Sequence, residues 1–441
     1  MDKIEQLRQN IRDQVAEFYQ VAHRREPFVP GQTRIHYAGR VYDEQEIIAL
    51  VDASLDFWLT MGENGLAFEE ALADYLGVEH AIIVNSGSSA NLAAVATLCS
   101  AQIDDPLQPG DEVITPAATF PTTIAPLVQN NLVPVFVDCE LGTYNAIPDA
   151  VEAAISERTR ALFVPHTLAN PCQMDRLMAI AARHDLYVLE DACDALGSRF
   201  DGQMLGTFGH LSTFSFYPAH HITTGEGGAV VTDDAALAKV AVSIRDWGRD
   251  CWCDYRTKNP NGACGRRFSY QIPGMSGVYD HKYLYSNIGY NLRPTDLQAA
   301  LGLAQLEKFP EFARARKSNF QVLYDGLKQF DEFFVLPTWD DRADVCWFAL
   351  PLTVRDEAPF TRHDLVNWLE NRRIETRFLF AGNILRQPGF VHIPHRTVGA
   401  LPNTDLVMRG TFFIGVYPGL DEARLDYMLE QFAAFFERIS L

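Results

Sequence analysis

Apolar residues recur along the chain with two different periods, and these periods predict its secondary structure. Within residues 1–25 the apolar side chains are spaced three and four residues apart, as in an amphipathic helix. They are Ile4, Leu7, Ile11, Val15 and Phe18. Residues 26–40 contain proline and glycine and predict a loop, and residues 43–59 predict a second helix.

Beyond residue 62, short apolar runs alternate with segments of helical period. The runs are almost continuously apolar, which is typical of strands buried on both faces of a parallel sheet. They occupy residues 81–86, 112–117, 134–139, 161–166, 186–192 and 215–219. Strands and helices alternating at this spacing predict an α/β fold with a mostly parallel sheet covered by helices.

The same pattern predicts three regions. Residues 1–40 form the N-terminal helix and loop, residues 41–300 a large domain, and residues 301–441 a smaller C-terminal α+β domain. Residues 248–288 interrupt the alternation with three cysteines, five glycines and several aromatic residues. We expect this stretch, called the excursion below, to be a large irregular segment of the large domain.

Composition narrows the class of protein. The chain has 441 residues, of which 47% are hydrophobic and 21% charged, as in ordinary globular enzymes. Its net charge of -20 argues against a nucleic-acid partner, since phosphate binding needs basic patches. The N-terminus has no apolar signal region and no apolar run reaches about 18 residues, so we expect a cytoplasmic protein with no membrane span. Its eight cysteines are then expected to be free, catalytic or metal-bound.

The main chemical motif is the sequence SFYPAHHITTGEGG at residues 215–228. It predicts a strand end, a turn and a glycine-rich return. This motif resembles the cofactor-lysine segment of the DegT/StrS-type sugar aminotransferases, in which a lysine forms a Schiff base with pyridoxal phosphate (PLP). His220 stands at the lysine position, and there is no lysine between Lys3 and Lys239. An imidazole cannot form an imine, but it can exchange protons near neutral pH.

A second motif, VNSGSSAN, follows a predicted strand and opens a helix. Backbone N–H groups of Gly87, Ser88 and Ser89 at a helix N-terminus suit a phosphate, although such a turn is also typical of an ordinary cap. The family resemblance assigns the cofactor phosphate to this turn and to Ser215.

The resemblance assigns further roles around the cofactor and implies the PLP-dependent transferase fold of type I. Asp191, in the motif EDACDALG, matches the aspartate that pairs with the pyridinium nitrogen, and a helix cap is its alternative reading. Phe120 matches the aromatic residue stacked on the ring, or is a core residue. His166 matches a histidine near the substrate. Asn291 matches an asparagine that reaches the phosphate of a neighbouring subunit, which implies a homodimer.

The cysteines form a second constellation. Cys251 and Cys253 form a CxC pair, Cys264 follows in the excursion, and Cys193 lies two residues after Asp191. This is not a zinc-ribbon spacing, and spacing alone leaves a metal site open. The remaining cysteines are expected to be small core residues.

One branch of the family combines the lysine-to-histidine exchange with an iron–sulfur cluster. The sequence resembles that branch, the CDP-4-keto-6-deoxyglucose-3-dehydrases, with fifty-seven residues between Cys193 and Cys251. The resemblance implies a [2Fe–2S] cluster held by Cys193, Cys251, Cys253 and Cys264.

The resemblance also implies the reaction. Untethered pyridoxamine phosphate (PMP), with His220 as base, removes the 3-hydroxyl of a nucleotide-linked 4-keto-6-deoxyhexose, with CDP the favoured nucleotide. The cluster relays electrons from an NAD(P)H-dependent flavin/iron–sulfur reductase. Two alternatives stay open: an iron-free dehydratase that regains its amine from glutamate, and a non-catalytic binding protein with structural zinc.

Overall fold

The computed structural model describes residues 2–23, 27–253 and 259–439. The α-helices are α1 (Lys3–Ala22), α2 (Glu44–Asp56), α3 (Glu63–Leu76), α4 (Gly87–Leu98), α5 (Pro121–Gln129), α6 (Pro148–Ala153), α7 (Met174–His184), α8 (Ala235–Arg245), α9 (Asp296–Leu327), α10 (Arg362–Asn371), α11 (Pro402–Gly410) and α12 (Glu422–Ile439). The strands are β1 (His80–Val84), β2 (Glu112–Pro116), β3 (Val133–Val137), β4 (Thr159–Pro165), β5 (Tyr187–Asp191), β6 (Arg199–Phe200), β7 (Gln203–Met204), β8 (Leu211–Ser215), β9 (Gly228–Thr232), β10 (Phe334–Val335), β11 (Ala343–Asp344), β12 (Ala349–Val354), β13 (Thr376–Phe378), β14 (Arg396–Thr397) and β15 (Thr411–Gly415). The predicted N-terminal helices are confirmed as α1 and α2.

The large sheet has the strand order β1-β9-β8-β5-β4-β2-β3-β14. Strand β9 runs antiparallel to both of its neighbours, and the other pairs are parallel. Strands β1, β8, β5, β4 and β2 therefore end at the same edge of the sheet. The predicted mostly parallel α/β sheet is confirmed.

Both faces of this sheet are buried, which explains the continuous apolar runs. Adjacent residues of one strand enter different cores: Ile83 packs in one and Ile82 in the other. Strand β5 repeats the pattern with Val188 and Leu189. A strand with water on one face would instead alternate apolar and polar residues.

The C-terminal part of the chain forms an antiparallel sheet with the order β10-β12-β15-β13. Helix α9, begun by a capping box between Thr295 and Gln298, leads from the large sheet to this smaller one. Strand β14 crosses back and pairs with β3 of the large sheet. The domain limits at residues 40, 300 and 441 therefore stay predictions.

The excursion contains short irregular pairings in its described part. Its base is closed by an antiparallel bridge between Asp246 and Asn291, followed by one between Arg249 and Tyr285. Residues 254–258, which the predicted excursion includes, lie outside the described residues. Across the described ranges, no helix combines the length and the apolar character needed to cross a bilayer.

Candidate active site

A cavity of about 410 Å³ lies at the edge of the large sheet where the parallel strands end. Open α/β sheets bind ligands at this edge. The cavity wall contains most of the residues predicted from the motifs. They are Gly87, Ser88, Phe120, His166, Asp191, Cys193, Ser215 and His220. Ser89 and Asn291 are not part of this wall.

The carboxyl group of Asp191, the last residue of β5, is buried and held by hydrogen bonds. Its Oδ2 accepts hydrogen bonds from Asn91 Nδ2 at 2.9 Å and Thr123 Oγ1 at 2.7 Å. Its Oδ1 accepts the Cys193 N–H at 3.3 Å. Asn91 is fixed in turn because its Oδ1 accepts from Thr213 Oγ1 at 2.6 Å. A carboxylate fixed in this way suits a protonated ring nitrogen.

The turn before α4 forms a narrow cradle beside Asp191. A β-carbon at Gly87 would lie 2.5 Å from Ser215 Cβ and 3.0 Å from Cys193 Sγ, so only glycine fits. Ser86 caps the helix, since its Oγ accepts the Ser89 N–H at 3.0 Å. Gly87 and Ser88 therefore keep the helix-terminal N–H groups suited to a phosphate.

His220 lies in the partly buried turn after β8. Its Nδ1 is 3.4 Å from Asp194 Oδ1, and among the described residues Nδ1 has no hydrogen-bond partner. Burial and the nearby Arg316 charge lower the pKa of His220 to about 3. Burial and the Asp191 charge raise the pKa of Asp194 to about 8. At neutral pH the proton is therefore on Asp194, and the imidazole is a free base.

Helix α9 holds the His220 turn from behind. The buried guanidinium of Arg316 donates from Nη2 to the His220 carbonyl and from Nη1 to the Phe348 carbonyl, each at 3.1 Å. Sequence reasoning missed Arg316 because no motif surrounds it and it lies 96 residues from its partner. It also missed Asn91, which stands inside the quoted motif VNSGSSAN, and Thr123, three residues after Phe120.

His166 is fully buried and both ring nitrogens are engaged. Nε2 lies 2.9 Å from Glu190, and Nδ1 accepts the Cys172 N–H at 3.2 Å. Because a backbone N–H needs a lone pair, Nε2 carries the proton and donates it to Glu190. His166 therefore presents a fixed ring to the cavity.

Phe120 precedes α5, and its side chain is 48% exposed. Its ring meets Phe380 edge to face at 5.7 Å between centroids. The Phe120 ring is thus supported by a residue that follows β13. An exposed, supported ring at this place suits stacking on a planar cofactor.

The candidate metal ligands are divided between two places. Cys193 lines the main cavity, whereas Cys251 lines a separate cavity of about 170 Å³ that also contains Lys239. In the excursion, Cys253 Sγ accepts the Ala263 N–H at 3.0 Å. Cys264 Sγ accepts the Arg266 N–H at 3.4 Å and lies 3.2 Å from His281 Nδ1. Among the described residues, no three His, Cys, Asp or Glu side chains form a metal site.

The residues of the main cavity fit a PLP-type cofactor. A buried carboxylate for the ring nitrogen, a glycine cradle with helix-terminal N–H groups for the phosphate, and an exposed aromatic ring surround one space. The four thiols, by contrast, do not form one metal-binding group among the described residues, so the predicted cluster stays a prediction.

Comparison with known proteins agrees with this reading of the cavity. The profile of the DegT/DnrJ/EryC1/StrS aminotransferase family matches residues 41–433. The chain is 47% identical to the lipopolysaccharide biosynthesis protein RfbH of Salmonella typhimurium, covering 98% of each chain. It is 49% identical to the dTDP-4-dehydro-2,6-dideoxy-D-glucose 3-dehydratase of Saccharopolyspora spinosa, covering 94% of this chain and 89% of that protein.

Solved structures of similar proteins share the fold. Two are of GDP-4-keto-6-deoxymannose-3-dehydratase, one a mutant with bound GDP-perosamine and one with a trapped PLP-glutamate geminal diamine. Each has a TM-score of 0.80 and 28% identity, covering 90% of this chain and 99% of that chain. The predicted PLP-dependent transferase fold is thereby confirmed, and the chain belongs to the DegT/DnrJ/EryC1/StrS aminotransferase family.

Proposed function

We propose that this chain is a PMP-dependent dehydratase that removes the 3-hydroxyl of a nucleotide-linked 4-keto-6-deoxyhexose. One observation carries the proposal: a neutral histidine, not a lysine, lies in the cofactor cavity beside Asp191 and Asp194. No lysine is among the described residues of that cavity wall. An aminotransferase needs such an amine to tether PLP, whereas a dehydratase needs only a base.

The side chains divide the work as follows. PMP, when bound, supplies an amine for the 4-keto group and a ring that accepts electrons. Asp191 keeps the ring nitrogen protonated, and the cradle of Gly87, Ser88 and Ser215 holds the phosphate. His220, already neutral, takes a proton from the cofactor's methylene carbon while the 3-hydroxyl leaves as water. Arg316 keeps the His220 turn in place.

Replacing the 3-hydroxyl by hydrogen, with loss of water, consumes two electrons and two protons in total. The source of these electrons is a further part of the proposal. We favour an NAD(P)H-dependent flavin/iron–sulfur reductase, with a [2Fe–2S] cluster on Cys193, Cys251, Cys253 and Cys264 supplying single-electron transfer. The N–H groups that point at Cys253 and Cys264 support this choice, because such bonds stabilise thiolate ligands. The lack of any three-ligand metal site among the described residues weighs against it.

Glutamate is the second candidate for the electron source. In that case bound PMP would supply the two electrons, and each product would be accompanied by one released ammonia and by the conversion of one glutamate to 2-oxoglutarate. The separated thiols favour this candidate, and so does the similar dehydratase captured with PLP and glutamate.

We further propose a cytoplasmic homodimer acting on a CDP-linked sugar. The excursion supports the dimer, because it exposes large apolar side chains close to Asn291, which the resemblance places at the partner's phosphate. Ile288 is 95% exposed, and Trp252 and Tyr285 are about half exposed. Isolated monomers rarely expose apolar side chains so densely.

The test measures metal content and co-products together. The purified protein should contain about two irons per chain, and each 3-deoxy product should consume one NAD(P)H with reductase and release no ammonia. Cys251→Ser should contain no iron and form no 3-deoxy product, but it should still exchange the 3-hydroxyl with water. Cys99→Ser should keep the iron, the product formation and the exchange. One ammonia and one 2-oxoglutarate per product would establish the glutamate route. Zinc without turnover would establish the binding-protein alternative.

A further inference from the structure

The cavity wall is poor in positive charge, although the proposed substrate carries a diphosphate. Asp191, Asp194 and Glu226 contribute carboxyl groups to the described wall. Arg377 is the sole arginine or lysine among the described residues of that wall. A diphosphate in this cavity therefore has one cationic side chain from this chain to bind.

Arg377 is held in place without being neutralised. It lies on β13 at the edge of the smaller sheet, and its Nη1 donates to the Thr376 carbonyl at 2.7 Å. Its guanidinium carbon sits 4.2 Å from the centroid of the Tyr37 ring. Among the described residues, no carboxylate lies within ion-pair distance of Arg377. A planar guanidinium with free donors suits bidentate phosphate binding.

Aromatic rings connect Arg377 to the cofactor end of the cavity. Phe120 contacts Phe380, Phe380 contacts Phe413, and Phe413 contacts Tyr37, with centroids 5.7, 6.2 and 5.9 Å apart. All four rings line the cavity. This row of rings runs from Phe120, at the cofactor end of the cavity, to Tyr37, which contacts Arg377.

A second cavity of about 400 Å³ continues beyond Tyr37. It shares Tyr37 and Tyr217 with the main cavity and adds Tyr42, Tyr417 and Arg40. Tyrosine rings provide stacking faces for a planar base together with polar edges. The second cavity is thus a suitable place for the nucleoside.

From these observations we infer that Arg377 binds the diphosphate of the substrate and that the adjoining tyrosine-lined cavity receives the nucleoside. The inference rests on the proposed function and assigns its substrate class to named residues. Tyr37 is a positioning residue, because its ring packs against the Arg377 guanidinium. Arg377 sets the binding of the nucleotide and takes no part in proton transfer.

Isothermal titration of the PMP-loaded protein with CDP and with pyrophosphate tests the inference. Arg377→Ala should weaken the binding of both CDP and pyrophosphate by about tenfold or more, since charge-assisted hydrogen bonds are lost. The affinities of Arg377→Lys should lie between those of Arg377→Ala and the unmodified protein. In turnover, KM should rise much more than kcat falls. Arg355→Ala is the matched control: it removes an exposed arginine outside both cavities and should change nothing.

Unchanged CDP and pyrophosphate affinity in Arg377→Ala, with a melting temperature like that of the unmodified protein, would overturn the inference while leaving the dehydratase proposal intact. Loss of CDP binding with unchanged pyrophosphate binding would equally overturn it, because the diphosphate would then bind elsewhere. Failure of the unmodified protein to exchange the 3-hydroxyl is a separate result, and it would refute the proposed function itself.

Discussion

His220 combines two properties at one position: it cannot tether the cofactor, and it is deprotonated at neutral pH. The first follows from the chemistry of imidazole, and the second from burial beside Arg316. The neighbouring His221 is different, because its Nε2 lies 2.6 Å from the Cys346 carbonyl in the core. The two adjacent histidines therefore differ: His221 packs in the core, and His220 is the proposed base.

Replacing the base should separate catalysis from cofactor binding. His220→Asn should still bind PMP, because Asp191 and the glycine cradle are unchanged. Its dehydration rate should fall on the order of a hundredfold to ten-thousandfold, the usual effect of losing a general base. Stopped-flow absorbance with the keto sugar measures the rate, and equilibrium dialysis measures the cofactor.

His221→Gln is the matched control, since a glutamine amide can still donate to the Cys346 carbonyl. It should dehydrate substrate at a near-normal rate per folded molecule. A normal rate in His220→Asn, or an equal loss in both variants, would remove His220 from the role of base.

The raised pKa of Asp194 should make the free energy of unfolding depend on pH. Its pKa is raised to about 8 in the folded chain, against about 3.9 in an unfolded one. Between these values the folded state keeps a proton that the unfolded state releases, so stability falls as pH rises. His220 adds little above pH 7, because it is neutral in both states.

Asp194→Asn removes this dependence because the amide does not titrate. Denaturant unfolding of cofactor-free protein between pH 6.5 and 8 should show a shallower slope in the variant, by at most about 1.4 kcal/mol per pH unit. Asp201→Asn, at an exposed position, should keep the original slope. Equal slopes in all three proteins would contradict the buried, protonated state of Asp194.

At the scale of elements, α9 acts as a support for the site. Arg316→Met fills the same space but removes the donors to the His220 and Phe348 carbonyls. Stability should fall by about 1–3 kcal/mol because buried carbonyls lose their partners. The acid limb of the kcat/KM profile should move to higher pH, since the Arg316 charge that lowers the pKa of His220 is gone.

Chemical unfolding and a pH–rate profile check both effects. Arg314→Met, on the exposed face of the same helix, should leave both unchanged. If the acid limb of the kcat/KM profile stays at the same pH in Arg316→Met, the Arg316 charge does not act on His220.

Sequence patterns could predict the elements whose signals are local. Apolar runs indicated the parallel strands, and the family resemblance of the motifs at their ends placed Gly87, Asp191 and Ser215 around one cofactor. Contacts between distant elements could not be predicted this way. From the C-terminal half, Arg377 reaches the cavity wall and Arg316 reaches the His220 carbonyl, and neither stands in a recognisable motif.

The cysteine pattern shows a different limit of sequence reasoning. The family resemblance placed four thiols on one cluster, whereas among the described residues Cys193 lines the main cavity and Cys251 lines a separate one. Sequence spacing does not indicate whether the excursion folds towards the main cavity or towards the separate cavity that Cys251 lines. The role of Cys251, Cys253 and Cys264 therefore stays a prediction.

For the whole molecule, the site depends on segments far apart in the chain. The N-terminal stretch pairs with the strand β13 region through Ile35 and Ile374, which brings Tyr37 beside Arg377. Strand β14 ties the C-terminal part to the large sheet. The cofactor end of the cavity is thus built by the large sheet, and the nucleotide end by the smaller sheet and the N-terminal stretch.

Oxygen exchange at sugar carbon 3 tests the central claim, dehydration by untethered PMP, most directly. The purified protein, loaded with PMP and given a nucleotide-linked 4-keto-6-deoxyhexose in ¹⁸O-water without reductant or glutamate, is followed by mass spectrometry. Because elimination is reversible, we predict ¹⁸O at carbon 3 of the recovered sugar, and far slower labelling with His220→Asn. Recovery of a 4-amino sugar, or of substrate with no label at carbon 3, would contradict the account.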